Sequence, residues 1–404
     1  MKLIEPILAD APAIAKLRRD LHAHPELCFH EDRTADVVAK ALTDWGIEIH
    51  RGLGKTGVVG IIQGRDGGAS GRTLGLRADI DALPITEHNT FAHASKHPGK
   101  MHACGHDGHT AMLLAGAKHL AANRDFDGTV YVVFQPAEEG GGGAREMIKD
   151  GLFTKFPMEA MFGIHNWPGM AAGQFALKSG PVFASSNEFK VTIKGKGAHG
   201  AMPHLGTDPV VVAAQLVQAY QTIITRNKRP IDAGVISVTM IHAGEATNVI
   251  PESCELQGTV RTFTLETLDL IERRMKQITE ATGDAFEVQC EFSFHRNYPP
   301  TINHPAETEF VRGVLTEMLG AANVQEFEPT MGAEDFSYYL QKVPGCYFLI
   351  GNGDGSHREG GHGLGPCMLH NPSYDFNDEL IPLGGTMWSR LVDAWFKQPR
   401  PAKA

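Results

Sequence analysis

The sequence predicts an α/β protein: a mixed, largely parallel sheet flanked by helices, interrupted by a smaller inserted domain of β-α-β-β-α-β order. Three observations predict it. From the N-terminus to about Phe183, short apolar runs alternate with helical patterns, the order of a layered α/β sheet. Near Phe183 the texture changes to strands alternating with period two, the mark of a sheet with one wet face. After Pro299-Pro300 the helix-and-loop texture returns and runs to the end. The expected domains are therefore 1–184 with 298–404, and 185–297 as the insertion. A chain of 404 residues exceeds what one core usually organises, which agrees with two domains.

Taken in order, residues 1–45 read as helix with Pro25 interrupting. "TGVVGIIQG" and "RTLGLRADI" read as strands, "HTAMLLAGAKHLAAN" as a helix with few β-branched residues, "GTVYVVFQP" as a strand ended by Pro136, and "EAMFGIH" as another strand. Inside the insertion, "EFKVTIKG", "GVISVTMIHAG", "SCELQGTVRTF" and "AFEVQCEFSFHR" alternate. They are separated by the helical "DPVVVAAQLVQAYQTIITR" and by "LETLDLIERRMKQITEAT", for which Thr264 is the expected N-cap. That is the ferredoxin-like order. A last helix covers "GGTMWSRLVDAWF".

Bulk properties narrow the function. Lys and Arg number 37 against 47 Asp and Glu, a net charge of −10, and the charges are interspersed. No basic stripe marks a nucleic-acid or anionic-membrane surface. No apolar run reaches a spanning length. The N-terminal segment, with Glu5, Asp10 and Asp20, reads as an amphipathic helix rather than a secretory signal. The six cysteines are scattered, which fits free thiols in a reducing compartment, the cytoplasm by default.

The chemistry collects at strand ends. "GLRADIDALP" places Asp79 and Asp81 at one, "VVFQPAEEGGGG" places Glu138 and Glu139 at another, and "MFGIHNWPG" places His165 at a third. In open α/β sheets ligands bind beyond the carboxyl ends of strands, so groups distant in sequence meet there. "MHACGHDGHT" opens a helix between two of these strands and crowds His102, Cys104, His106, Asp107 and His109 into eight positions. His370, in "CMLHNPSYDF", returns from the far side of the insertion.

Each residue has an ordinary reading. A lone Cys is usually buried packing. His165 and His370 alone read as satisfied buried histidines, His102 and His109 as supporting donors or helix surface, and Asp107 as a helix cap. Adjacent Glu138 and Glu139 are an exposed acidic loop unless a cation compensates them. Together, however, Cys, His and Glu supply the thiolate, imidazole and carboxylate mixture of catalytic zinc and other first-row metals. One carboxylate can bind metal while its neighbour moves a proton. A divalent ion beside such a carboxylate activates water for amide hydrolysis.

"RADIDALP", "HACGHDGHT", "QPAEEGGGGA", "GIHNWP", "GAHGAMPH", "TNVIP", "GTVRTF", "MGAEDFSYY" and "LHNPSYDFND" resemble, in order and with compatible spacing, the hippurate hydrolase group of amidohydrolases. This group includes N-acyl-amino-acid amidohydrolases and plant auxin-conjugate hydrolases, and is a branch of the aminoacylase and carboxypeptidase metallopeptidase family. The resemblance implies Cys104, His106, Glu139, His165 and His370 as ligands of two divalent ions per subunit, commonly zinc or manganese, with cobalt or nickel as further choices. It implies Glu138 as the general acid/base and Asp81 as the aspartate that orients a metal-binding group. Wider relatives have His-x-Asp where this chain has Asp79-Ile80-Asp81, so the resemblance gives Asp79 no fixed role. It implies His199, Asn248 and Arg261, in a lid or dimerisation domain, as residues meeting the substrate's carbonyl or carboxylate. It also implies a homodimer, or a dimer of dimers.

The reading is thus a metallo-amidohydrolase acting on small N-acyl amino acids. The alternatives are a dipeptidase or carboxypeptidase on the same scaffold, a cysteine hydrolase using Cys104, and a non-enzymatic binding protein. The intact Glu138 argues against the last. Trp167, Phe183, Met202 and Tyr338 are candidates for an acyl pocket or for core.

Overall fold

The computed structural model describes residues 2–358 and 360–398. The chain divides into two compact units. One is Met1–Gly180 with Asn303–Glu328 and Tyr338–Ala404; the other is Pro181–Ile302 with Pro329–Ser337.

The first unit opens with helix α1 (Glu5–Ala23) and helix α2 (Asp32–Asp44), with Pro25 in the break between them. Strands β1 (Glu48–Leu53) and β2 (Gly57–Gln63) form a hairpin, and β3 (Thr73–Asp79) leads toward helix α3 (His106–Ala122). Strands β4 (Thr129–Gln135), β5 (Met161–Pro168) and β6 (Phe175–Leu177) follow. In the second unit the order is β7 (Ser186–Lys194), α4 (Pro209–Thr222), β8 (Gly234–Ala243), β9 (Ser253–Thr262), α5 (Leu265–Ala285) and β10 (Gln289–Tyr298). The chain then returns to the first unit as α6 (Pro305–Leu319), β11 (Val324–Glu326), β12 (Gly345–Gly353) and α7 (Leu380–Lys397).

The sheet of the first unit has eight strands in the order β1-β2-β4-β3-β5-β12-β6-β11. Its centre, β4-β3-β5-β12, is parallel, and antiparallel pairs join β1, β2 and β6 to it. The central strands read as near-continuous apolar runs because helices cover them. Leu74, Leu76, Val130, Val132 and Phe134 lie in one core with Met112, Leu113, Met387 and Trp388. Helix α3 packs on β3, α1 and α7, so it is buried almost all round over its first three turns. This brings its N-terminus, with His106, beside the carboxyl ends of the central strands.

The second unit is an antiparallel sheet of order β8-β9-β7-β10, with α4 and α5 covering one face over Val191, Leu216, Leu256, Ile271 and Met275. The strands alternate buried and exposed positions, as period-two patterning requires. Thr264 caps α5 by accepting the Thr267 N–H at 3.2 Å. The open face carries Glu188, Lys190, Arg261 and His295 around a shallow depression of about 530 Å³. Among the described residues no helix is long and apolar enough to cross a membrane, and all six cysteines are free thiols.

Candidate active site

Five side chains from four segments converge in the first unit. Cys104 Sγ lies 3.3 Å from His165 Nε2. Cys104, His106 and His165 offer ligand atoms within 4.8 Å of one another, as do Cys104, Glu139 and His370, and also His106, Glu138 and Glu139. His106 Nε2 is 3.9 Å from Glu139 Oε1, and His370 Nε2 is 3.2 Å from the same oxygen.

Local structure explains the placement. Gly105 precedes α3 with φ +87°, and a Cβ there would collide with the Tyr374 hydroxyl and the Asn166 amide. Only glycine lets the chain turn from Cys104 into the helix while packed this closely. His370 has φ +59°, and its N–H donates to the Ala103 carbonyl at 2.8 Å, which pins its loop against the Cys104 turn. The glycines after Glu139 serve the same end: Gly143 donates its N–H to the Ala137 carbonyl at 3.0 Å, and a Cβ on it would overlap the Pro136 carbonyl.

Supporting groups set the tautomers. Asp81 Oδ1 accepts from His106 Nδ1 at 3.1 Å, while Asp81 Oδ2 accepts the Glu139 N–H at 2.9 Å. One carboxylate therefore aligns two candidate ligands. The Asn166 carbonyl accepts from His165 Nδ1 at 2.6 Å. Both imidazoles are left with Nε2 directed at the cluster. Burial works against ionisation of Asp81, but the hydrogen bond and charge of His106 together with the Glu139 amide outweigh it and hold this carboxyl below the usual range.

Asp79 and His109 form a layer behind these. His109 Nδ1 donates to Asp79 Oδ1 at 2.7 Å, and its Nε2 accepts the Asn166 N–H at 2.9 Å. Both nitrogens are committed, so His109 is a supporting donor rather than helix surface. Asp79 Oδ2 also takes Arg77 at 2.8 Å and stands 3.6 Å from His106 Nε2.

Two ordinary readings of the motif are corrected. Asp107 does not cap α3: its Oδ2 accepts from Arg18 at 3.2 Å and from His22 at 2.9 Å. A buried cation nearby outcompetes the backbone for this carboxylate. His102 is not surface: its ring is 1% exposed and both nitrogens lack hydrogen-bond partners among the described residues. Sequence reasoning missed Arg77, Arg18, His22 and Asn166. Arg77 carried a signal, because period two sets it on the same strand face as Asp79.

The donor set fits divalent ions. His106 Nε2 is buried without a hydrogen-bond partner among the described residues, and Glu139 Oε1 has only the His370 ring 3.2 Å away and no well-directed hydrogen bond, an arrangement that costs stability unless something binds these atoms. Burial, followed by Glu139 and Glu138, pushes the Cys104 thiol well above its ordinary range. A nucleophilic cysteine needs the opposite shift, so these surroundings oppose catalysis by a free thiolate.

In the second unit His199 and Asn248 lie side by side. Gly200 donates to the Asn248 carbonyl at 2.8 Å, and His199 Nδ1 accepts the Ala201 N–H at 3.0 Å. The exposed Nε2 of His199 therefore carries the proton of the neutral ring. Arg261 is half-buried and donates to Ser186 Oγ at 2.9 Å. Of the apolar candidates, Phe183 is buried, Met202 is exposed, and Trp167 stands ring to ring with His165 at 6.5 Å.

A thiol, imidazoles and paired carboxylates gathered at the carboxyl edge of a parallel sheet form a donor set suited to a metallohydrolase. Residues 75–394 match the model for peptidase family M20/M25/M40, and the chain belongs to this family. It is 37% identical to hippurate hydrolase of Campylobacter jejuni over 398 residues, covering 98% of this chain and 100% of that one. It is 39% identical to thermostable carboxypeptidase 1 of Saccharolobus solfataricus over 403 residues, covering 97% and 98%. The crystal structure of the Bacillus subtilis YXEP protein, described as a dinuclear metal binding peptidase from the M20 family, superposes with a TM-score of 0.80 at 32% identity, covering 95% of this chain and 98% of that one.

The buried His22 yields a pH test. Burial opposes its charge, but Asp107 and Glu87 outweigh burial and raise it from 6.5 to about 10. A folded value above the unfolded one gives stability that is complete below about pH 6.5 and lost as pH rises toward about 10. Thermal unfolding across this window is expected to show His22→Gln less stable than wild type at the acid end, with the gap closing at the alkaline end. A gap that does not change with pH would refute the assignment.

Proposed function

We propose that this protein is a metal-dependent amidohydrolase that cleaves N-acyl amino acids, R-CO-NH-CH(R′)-COOH, into a carboxylic acid and a free amino acid. The observation that carries the reading is the convergence of Cys104, His106, Glu139, His165 and His370 beside Glu138, in a chain that matches a hippurate hydrolase from end to end. These five residues are the proposed ligands. Bound among them, two divalent ions, zinc or manganese by preference and cobalt or nickel as substitutes, supply water activation and polarisation of the scissile carbonyl.

The chain's own residues do the rest. Glu138 accepts the proton of the attacking water and delivers it to the leaving nitrogen. Asp81 holds His106 and the Glu139 backbone in fixed relation. Arg261 presents a planar guanidinium suited to the substrate carboxylate, which lysine copies poorly. His199, with its proton on Nε2, and Asn248 donate to the carbonyl oxygen as negative charge develops there. We further propose a homodimer, able to pair again as a dimer of dimers, with the second unit as its lid and dimerisation domain and with the cytoplasm as its compartment.

The carboxypeptidase likeness favours a second reading, hydrolysis of peptides from the C-terminal end. A panel of acetyl, benzoyl and indoleacetyl amino acids set against dipeptides separates the two. Acyl amino acids are expected to be turned over faster, chelator dialysis to abolish the activity, and zinc, manganese or cobalt to restore it. Faster dipeptide hydrolysis would transfer the assignment to the second reading. Full activity in verified metal-free protein would remove both.

The glutamate pair divides its labour in a measurable way. Glu138→Gln is expected to keep its metal content and to lose at least the roughly 10²-fold in turnover typical of a missing general base. Glu139→Gln is expected to lower metal content. Swapped effects would reverse the two roles.

For His199 the expected donor acts from the partner subunit. Inactive His199→Ala and inactive Glu138→Gln proteins, mixed under conditions of proven subunit exchange, should regain activity. No recovery would place the histidine's duty within its own chain or remove it.

A further inference from the structure

Glu31 lies at the start of α2, far in sequence from Glu138 and from every proposed ligand, and is fully buried. Its Oε1 accepts two backbone amides at once, Phe29 N–H at 3.0 Å and Ala137 N–H at 2.9 Å. Its Oε2 accepts the Thr56 hydroxyl at 2.6 Å. Both residues whose amides it takes have left-handed backbone, Phe29 at φ +61° and Ala137 at φ +53°. For a residue with a Cβ that conformation is strained, and it persists only where the surroundings over-determine it. Ala137 is the residue immediately before Glu138.

The two glutamates differ in how their backbone is held. The Glu139 N–H donates to Asp81, and the Glu139 carbonyl accepts from Cys28 Sγ at 3.0 Å. That residue is anchored on both sides without Glu31. For Glu138 the incoming direction of the chain is set by the left-handed turn at Ala137, and the amide of that turn is held by Glu31.

We propose that Glu31 is a positioning residue for Glu138, clamping Ala137 in its left-handed conformation so that the proton-carrying carboxylate is presented in one direction. This rests on the reading of Glu138 as general base. The requirement is an acceptor at the Oε1 position, and negative charge is not needed. A glutamine supplies the same acceptor and turns its NH₂ toward Thr56 Oγ, which can accept from it. A leucine fills the space and accepts nothing.

The test uses full-length protein in three variants: Glu31→Leu, Glu31→Gln, and Glu31→Leu combined with Ala137→Gly. Hydrogen exchange over the peptide containing residues 135–143, measured without metal or substrate, reads the clamp directly. Glu31→Leu is expected to lose protection there, and Glu31→Gln to keep it. In the zinc-loaded protein, Glu31→Leu is expected to lower kcat by about tenfold or more, since misplacement of a catalytic group by about 1 Å costs up to about 10²-fold. KM and metal stoichiometry should stay near wild type. Glu31→Gln should retain kcat. Ala137→Gly, which removes the left-handed penalty, should restore part of what Glu31→Leu loses.

Unchanged exchange in Glu31→Leu, unchanged kcat, or a Glu31→Gln defect as deep as that of leucine would each overturn the proposal. Should Glu31→Leu fail to fold, Glu31→Asp serves instead, because its carboxylate is drawn back by one methylene from Ala137 while keeping its charge, and the same losses are expected. If wild-type protein hydrolyses no acyl amino acid, the functional reading falls. The exchange experiment still decides whether Glu31 clamps the turn.

Discussion

One buried guanidinium organises the support behind the candidate metal cluster. Arg18, on the inward face of α1, reaches Asp107 at 3.2 Å, Asp375 at 3.0 Å and Asp378 at 2.7 Å. Burial alone would oppose its charge, yet the three carboxylates hold it firmly protonated. Asp107 adjoins His106 at the start of α3, and Asp375 and Asp378 lie just beyond His370. The N-terminal helix, the helix bearing one candidate ligand and the loop bearing another are therefore tied to a single cation. A buried pair of this kind is weak evidence for net stability, but breaking it by removing one partner leaves an uncompensated charge, at about 3–5 kcal/mol. What the network secures is relative position.

From that anchor outward the site is a sequence of committed hydrogen bonds. Asn166 shows the logic most compactly. Its backbone N–H and its amide both donate to His109 Nε2, its amide also donates to the Cys104 carbonyl at 2.7 Å, and its side-chain oxygen accepts from Tyr374 at 2.9 Å. His109 must then carry its proton on Nδ1, where it donates to Asp79. By the same reasoning His106 and His165 spend Nδ1 on Asp81 and on a carbonyl. Each of these two imidazoles has one tautomer available, and that tautomer leaves Nε2 toward the cluster. Support of this kind is what keeps such a site in geometry before any ion arrives.

Much of this was legible in the sequence, and the rest was hidden for definite reasons. Apolar runs with no wet face marked the central strands, and period two marked the second unit. The ligand types were visible because Cys104, His106 and Glu139 sit at transitions between strand, turn and helix, where buried packing residues are unusual. Arg18 and His22 were not legible: four apart on an amphipathic helix, they read as part of a solvated face. Nothing local says that their face meets three carboxylates more than eighty residues away. Asp107 misled for a related reason. A carboxylate in a first helical turn usually serves backbone amides, and only the tertiary arrangement puts a guanidinium and an imidazolium within its reach.

The adjacent glutamates show where sequence reasoning stops and physical reasoning takes over. Side by side at one strand end, Glu138 and Glu139 are not ordered by position alone; the family resemblance orders them, and their surroundings differ in the same sense. Glu139 has its N–H on Asp81, its carbonyl on Cys28, and its Oε1 within 3.9 Å of His106 and 3.2 Å of His370. Those contacts hold a carboxylate in one place against two imidazoles, which is what a ligand requires. Glu138 is reached by His106 and Glu139 within ligand range but enters the cluster through a left-handed turn whose amide is clamped from a distant helix. Strain kept next to a buried carboxylate favours the role in which direction matters most, the transfer of a proton along one line between water and a leaving nitrogen.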